Sequence, residues 1–268
     1  MSASNRVRAA LTPLAAVVAL WSLPAIAGET AEASATPGIS RGGEATGGEW
    51  LNWTEGNLAR RAGVPGQWQG EVTLSTNSAT PGGLSSSPDG VATGRLGLGY
   101  NLSAELSASR TGAGNRRPGV GLKWQALNRG NYKLAVMGLF RPEGFTEPEG
   151  EVELHLIGSA KFGRSEVNLN AVAGGDPDGK DRDVEGVLGA GYRLTKSLLV
   201  GAEGRSRFGL GTKVEAWGRQ EHVAGAVVQW DFSGFTISGL AGGGMFEPKA
   251  GAGLQSGLYG LGRIGYRF

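Results

Sequence analysis

The sequence predicts an all-β protein, one antiparallel up-and-down barrel of about twelve strands that crosses a membrane. Three observations carry this. Apolar side chains recur at every second position in twelve segments between residues 66 and 268. The connectors between those segments alternate between short and long. Glycine supplies 49 of 268 residues, and each internal glycine costs a helix about 1 kcal/mol relative to alanine.

The chain begins with an export signal. Arg6 and Arg8 precede an apolar stretch over 9–23, and Ala25-Ile26-Ala27 forms a small-x-small cleavage site before Gly28. The apolar stretch is short for a membrane-spanning helix of about 20 residues, holds Pro13 and is followed directly by Pro24. Residues 1–27 are therefore expected to be removed. That takes away two of the 26 basic residues and none of the 24 acids, so the formal charge falls from +2 to zero.

Residues 28–65 stand apart as a segment of their own. From 28 to 48 the chain is Gly, Ala, Ser, Thr, Glu and Pro with almost no large apolar side chain, a composition that buries too little surface to fold. Residues 49–62 (EWLNWTEGNLARRA) allow a short helix, with acid near the start and Arg60 and Arg61 near the end to suit its dipole. Gly56 interrupts it, and an irregular lead-in to the first strand is the simpler reading. The segment is expected to be flexible and periplasmic, with 49–62 a candidate plug or docking helix.

The strand segments are expected at 66–76, 91–100, 103–111, 117–127, 131–141, 151–161, 165–174, 184–194, 197–207, 221–232, 234–245 and 257–268. Each has about the 9–12 residues that a tilted strand needs to cross a bilayer. The last is the clearest: Leu258, Gly260, Gly262, Ile264, Tyr266 and Phe268 share one parity, and Tyr259, Leu261, Arg263, Gly265 and Arg267 the other. In the tenth, residues 212–217 (TKVEAW) allow an earlier start. Short turns at 101–102, 128–130, 162–164, 195–196 and 233 alternate with longer connectors at 77–90, 112–116, 142–150, 175–183, 208–220 and 246–256. Short periplasmic turns and longer outer loops are the asymmetry of a membrane barrel, and an even strand count leaves both termini on the periplasmic side.

Parity alone does not say which face is inside. A soluble barrel turns its apolar face inward, and a membrane barrel inverts the order. Export favours inversion. So does the placement of Trp68, Tyr100, Trp124, Tyr132, Phe140, Tyr192, Trp230, Phe232 and Tyr266 toward strand ends, where interfacial girdles sit. The ending GLYGLGRIGYRF, with Ile264, Tyr266 and the terminal Phe268 on the apolar parity, resembles the C-terminal assembly signal of bacterial outer-membrane β-barrel proteins. The resemblance covers the export signal and residues 66–268. It implies an outer-membrane location and insertion by the barrel assembly machinery, which would read the last strand. Twelve-stranded members of that class include small-solute channels, autotransporter translocators and a phospholipase, and the resemblance selects none of them.

With the apolar parity facing lipid, the inward side chains are Glu71, Arg95, Glu105, Lys123, Lys133, Arg141, Glu151, Glu153, His155, Glu166, Glu185, Arg193, Glu203, Arg205, Arg207, Asp231, Arg263 and Arg267. Acid gathers at Glu151, Glu153, Glu166 and Glu185, and base at Arg205, Arg207, Arg263 and Arg267. Opposed acidic and basic walls would make a selective, water-filled pore for small polar solutes. The alternative is that the charges pair across the lumen and close it, since buried charges need partners. A closed barrel would act through its outer loops, chiefly 77–90, 142–150 and 208–220.

Other functions find little support. With no cysteine and two histidines, a disulfide framework and Cys- or His-rich metal sites are excluded. The balanced charge argues against nucleic acid, and no phosphate-binding G-x-x-x-x-G-K-[ST] run is present, so no cofactor is expected. His155 has Glu153 two residues away, but Leu156 and Ile157 follow it and no G-x-S-x-G motif occurs. A non-enzymatic protein is expected, with His155 a hydrogen-bond partner for a glutamate. His222 reads as an interfacial residue. Asp176, Asp178, Asp181 and Asp183 resemble a calcium loop in spacing but lack its closing glutamate, and read as a solvated outer loop.

Overall fold

The computed structural model describes residues 56–80, 90–110, 116–142, 150–176, 181–211, 217–247 and 253–268. Residues 1–27, expected to be the export signal, residues 28–55 and parts of the long connectors lie outside them. Twelve strands follow in chain order: β1 (Gly70–Thr80), β2 (Gly90–Gly99), β3 (Leu102–Arg110), β4 (Arg116–Arg129), β5 (Tyr132–Pro142), β6 (Gly150–Phe162), β7 (Ser165–Gly175), β8 (Asp181–Arg193), β9 (Leu198–Gly211), β10 (Trp217–Phe232), β11 (Phe235–Phe246) and β12 (Gln255–Arg267). Each pairs antiparallel with its neighbours in sequence, and β1 pairs with β12 to close the barrel. Closure leaves no strand edge open for pairing with another chain.

The faces are inverted relative to a soluble barrel. Leu122 and Trp124 are 51% and 52% exposed, while Lys123 between them is 1% exposed. Leu154, Leu156, Leu169, Leu188 and Val228 are exposed, and Glu153, His155, Asn168, Asn170 and Gln229 are buried. The aromatic side chains gather at the short-turn end of the outer face. There Tyr132 meets Phe162 edge-on, and Trp230, Phe232, Phe235 and Tyr266 form a chain of ring contacts 4.8–5.7 Å apart. At the long-loop end Phe208 and His222 meet edge-on at 5.2 Å, an interfacial place for His222 of the kind its position implied.

Several strands run further into the long connectors than expected: β1 ends at Thr80, β8 starts at Asp181 and β9 ends at Gly211, so Asp181 and Asp183 belong to a strand and not to the outer loop expected of them. The first strand begins at Gly70 rather than residue 66, because residues 66–69 form a turn. The Gln69 amide donates to the Gly66 carbonyl at 3.0 Å, and Trp68 has φ of 65°, which breaks the extended path. The tenth strand takes in Trp217, and residues 212–216 lie outside the described set. The 49–62 helix is absent from its described part: 56–62 is irregular, and residues 49–55 lie outside the described set.

The seam between the first and last strands is closed by the chain terminus. The Phe268 amide donates to the Gly70 carbonyl at 3.0 Å, and the Gly70 amide to the Phe268 carbonyl at 2.9 Å. Gly70 is required there by close approach, since a Cβ would stand 2.5 Å from the Phe268 ring.

Candidate functional site

The lumen is where the polar chemistry converges. Strand alternation projects every second side chain inward, so charges spaced by two in sequence form columns along the wall. Glu71 of β1 stands between Arg95 of β2 at 3.4 Å and Arg263 of β12 at 3.6 Å. Arg95 continues the chain to Glu105 of β3 at 2.9 Å. Arg193 of β8 bonds Glu166 of β7 at 3.1 Å. Toward the long-loop end Arg205 of β9 lies 3.9 Å from Glu185 of β8 and 3.5 Å from Glu221 of β10. Arg207 pairs with Asp183 and stands 3.6 Å from Glu151, and Arg141 of β5 pairs with Glu153 of β6. Arg267 is 3.7 Å from Asp231, which also accepts from Thr236 and Gln229.

This arrangement is one of opposed walls only in part. The arginines of β9 sit beside the acid of β8, because the two strands are hydrogen-bonded neighbours, whereas β12, with Arg263 and Arg267, lies six strands around the ring from β6, with Glu151 and Glu153. Arg263 and Arg267 are answered by Glu71 and Asp231 near the seam. The pairs run mainly between neighbouring strands, so they line the wall rather than bridging the bore. His155 Nε2 lies 2.7 Å from Glu153 Oε2, the hydrogen-bonded role its sequence context implied. Lys133 is half-buried on β5.

The lumen also holds residues 56–65, part of the stretch expected to be a lead-in to the first strand, a plug or a docking helix. Six of their backbone amides donate to inward side chains, and the Gly56 amide donates to the Ala59 carbonyl at 2.9 Å. Glu203 of β9 accepts from the amides of Asn57 at 3.2 Å, of Leu58, and of Ala59 at 3.0 Å. Asn170 of β7 reads both sides of Arg60, accepting from its amide at 2.6 Å and donating to its carbonyl at 2.9 Å. Ser159 accepts from the Ala62 amide at 2.8 Å, and Gln125 from the Val64 amide at 3.2 Å. Lys123 donates to the Arg61 carbonyl at 2.9 Å, and Arg263 to the Gly56 carbonyl at 2.6 Å. The Arg60 guanidinium is bidentate on Glu105 at 2.9 and 3.1 Å, and Arg61 holds Glu166.

Two apolar patches complete this seat. Ala62 packs in a buried cluster with Ala135, Met137, Leu139 and Ile157 of β5 and β6. Leu58 packs against Val223, Val227, Leu240, Phe246 and Tyr259 of β10, β11 and β12. The sequence signal for this seat was the run of uncharged polar residues on the inward parity: Gln125, Ser159, Asn168, Asn170 and Ser238. All are suited to hydrogen-bonding a peptide backbone, and a search confined to charges passes over them.

No family model matches the chain, and no curated protein matches it by sequence. Solved structures resemble it. An outer-membrane channel from Pseudomonas putida F1 superposes with a TM-score of 0.54 at 15% identity, covering 77% of this chain and 97% of that one. The NanC porin superposes with a TM-score of 0.50 at 8% identity, covering 74% and 98%. At such identities the likeness is one of fold: this chain has the closed antiparallel barrel architecture found in outer-membrane channels.

Proposed function

We propose that the protein is a passive channel for small polar solutes in the bacterial outer membrane. Both termini and the short turns would lie in the periplasm and the long loops outside. The observation that carries this is the wall chemistry. Charged side chains face inward and pair mainly along the wall, while the outward parity carries leucine, valine and aromatic side chains such as Leu122, Trp124, Leu156, Leu169, Val228 and Trp230. An eight-stranded barrel is just filled by its own side chains, and barrels of 16–18 strands leave an aqueous channel. Twelve strands leave room along the axis for something besides wall side chains. The likeness in fold to an outer-membrane channel and a porin supports the same reading. No step of this function calls for catalysis, and the lumen residues would act by hydrogen bonding and charge.

The column Glu153, Glu185, Arg205, Arg207 near the long-loop end would set which solutes enter, and Glu151 and His155 would join it. Residues 1–27 would be removed on export, and Ile264, Tyr266 and Phe268 would present the last strand to the assembly machinery. The test is single-channel recording in planar bilayers under a salt gradient. The reading predicts discrete openings whose reversal potential shifts in opposite directions for Glu153→Gln and Arg205→Gln. Folded barrels that give no openings at any voltage would refute it.

A further inference from the structure

We propose that residues 56–65 are a removable peptide gate, a tethered stretch of chain that occupies the bore and leaves it without disturbing the wall. The inference rests on the channel reading and adds how that channel is closed.

The first support is coverage. The segment touches side chains or backbone of β3, β4, β6, β7, β9, β11 and β12, which is contact around most of the circumference. Ala59 and Ala62 are 1% and 0% exposed. A loop lying on a rim would meet two or three adjacent strands and keep its backbone in water.

The second support is that the wall is shaped to receive it. A Cβ at Gly189 would stand 2.9 Å from the Ala59 Cβ, and a Cβ at Gly97 would stand 2.0 Å from the Gly66 carbonyl oxygen, where the segment turns into β1. Six of its amides, those of Asn57, Leu58, Ala59, Arg60, Ala62 and Val64, have wall side chains as acceptors. A buried amide needs an acceptor, and for these six it comes from inward residues on four strands, β4, β6, β7 and β9.

The third support makes the gate removable. The two carboxylates that hold the arginines keep partners of their own. Glu105 retains Arg95 at 2.9 Å, and Glu166 retains Arg193 at 3.1 Å. Withdrawal therefore returns Arg60 and Arg61 to water without leaving those glutamates unpaired in the wall, the situation that makes a broken buried pair costly. Glu203 differs, because its hydrogen bonds go to the three amides of the segment. It is the latch, and water replaces those amides once the bore fills.

A gate changes how often a pore is open, whereas a lining residue changes how much current an open pore passes. The experiment records the full mature chain in planar bilayers beside two variants, Glu203→Ala and R60A/R61A, each checked for folding by heat-modifiable gel mobility. In parallel, Ala62→Cys is placed in each background. The chain has no native cysteine, so a charged maleimide reports that site alone. The proposal expects a several-fold longer open time in both variants, unitary current unchanged in R60A/R61A, whose altered side chains leave the bore with the segment, and faster maleimide labelling at position 62. Equal open times and equal labelling in folded barrels would overturn the gate and leave the channel standing. Absence of openings from all three forms would overturn the channel, and the gate with it.

Discussion

Placing an arginine at Leu169 tests the inverted faces through stability. Leu169 lies on β7 with 59% of its surface exposed, while Asn168 and Asn170 on either side are 6% and 2% exposed. It stands four residues from Ser165 at the short-turn end. At about 3.4 Å per residue and a tilt of about 40°, that is roughly 10 Å above the end of the strand, well inside the hydrocarbon layer. An arginine there cannot bring its whole guanidinium to the interface, so Leu169→Arg should cost about 2–4 kcal/mol. The folded-to-unfolded ratio then falls roughly 30- to 700-fold. Reversible denaturant unfolding in lipid vesicles, followed by tryptophan fluorescence, measures it, with Leu169→Ala as control. A water-facing surface predicts a change within about 0.5 kcal/mol, and that result would refute the lipid-facing assignment.

Three further outcomes follow from the geometry. Gly70→Val sets side-chain carbons against the Phe268 ring and should slow or abolish appearance of the heat-modifiable folded band, and Phe268→Ala should weaken the same seam; normal assembly of both would contradict the closure described. Glu71→Leu removes the carboxylate that Arg95 and Arg263 share, while Arg95 keeps Glu105 and Arg263 the Gly56 carbonyl, and should destabilise by about 1–3 kcal/mol, read by the same vesicle unfolding assay; a loss below about 0.5 kcal/mol would show that carboxylate to be dispensable. Intact mass of the exported protein should correspond to a chain beginning at Gly28, and retention of residues 1–27 would contradict the processing expected from Ala25-Ile26-Ala27.

The barrel was legible because a strand that meets lipid on one side and ions on the other writes its alternation at every residue. Lys123 between Leu122 and Trp124 is an example, and so is Glu153 between Val152 and Leu154. Loop lengths added the up-and-down order of the strands. The departures came where a local bond overrides the pattern. Trp68 keeps the apolar parity of β1 but sits in a turn fixed by Gln69 and Gly66. The seat for residues 56–65 was illegible for a different reason. Its parts are single amides and hydroxyls, Gln125 on β4, Ser159 on β6 and Asn170 on β7, separated by dozens of residues. Alternation reports that each faces inward but not that they face one another. Charge position along a strand likewise carries no information on azimuth, so Arg205 and Arg207, read as part of a wall opposed to acid, are neighbours of the β8 acid.

The central claim is that the charged parity lines the inside and the apolar parity meets lipid, and two adjacent valines test it most directly. On β10, Val227 is 3% exposed and Val228 is 52% exposed, so identical side chains differ only in face. Spin labels attached through Val227→Cys and Val228→Cys, in protein reconstituted into vesicles, are challenged with oxygen, which concentrates in lipid, and with a water-soluble nickel chelate. The account predicts that the label at 228 is relaxed strongly by oxygen and weakly by nickel, and that the label at 227 is shielded from oxygen. A label at 228 that answers to nickel rather than oxygen would contradict it.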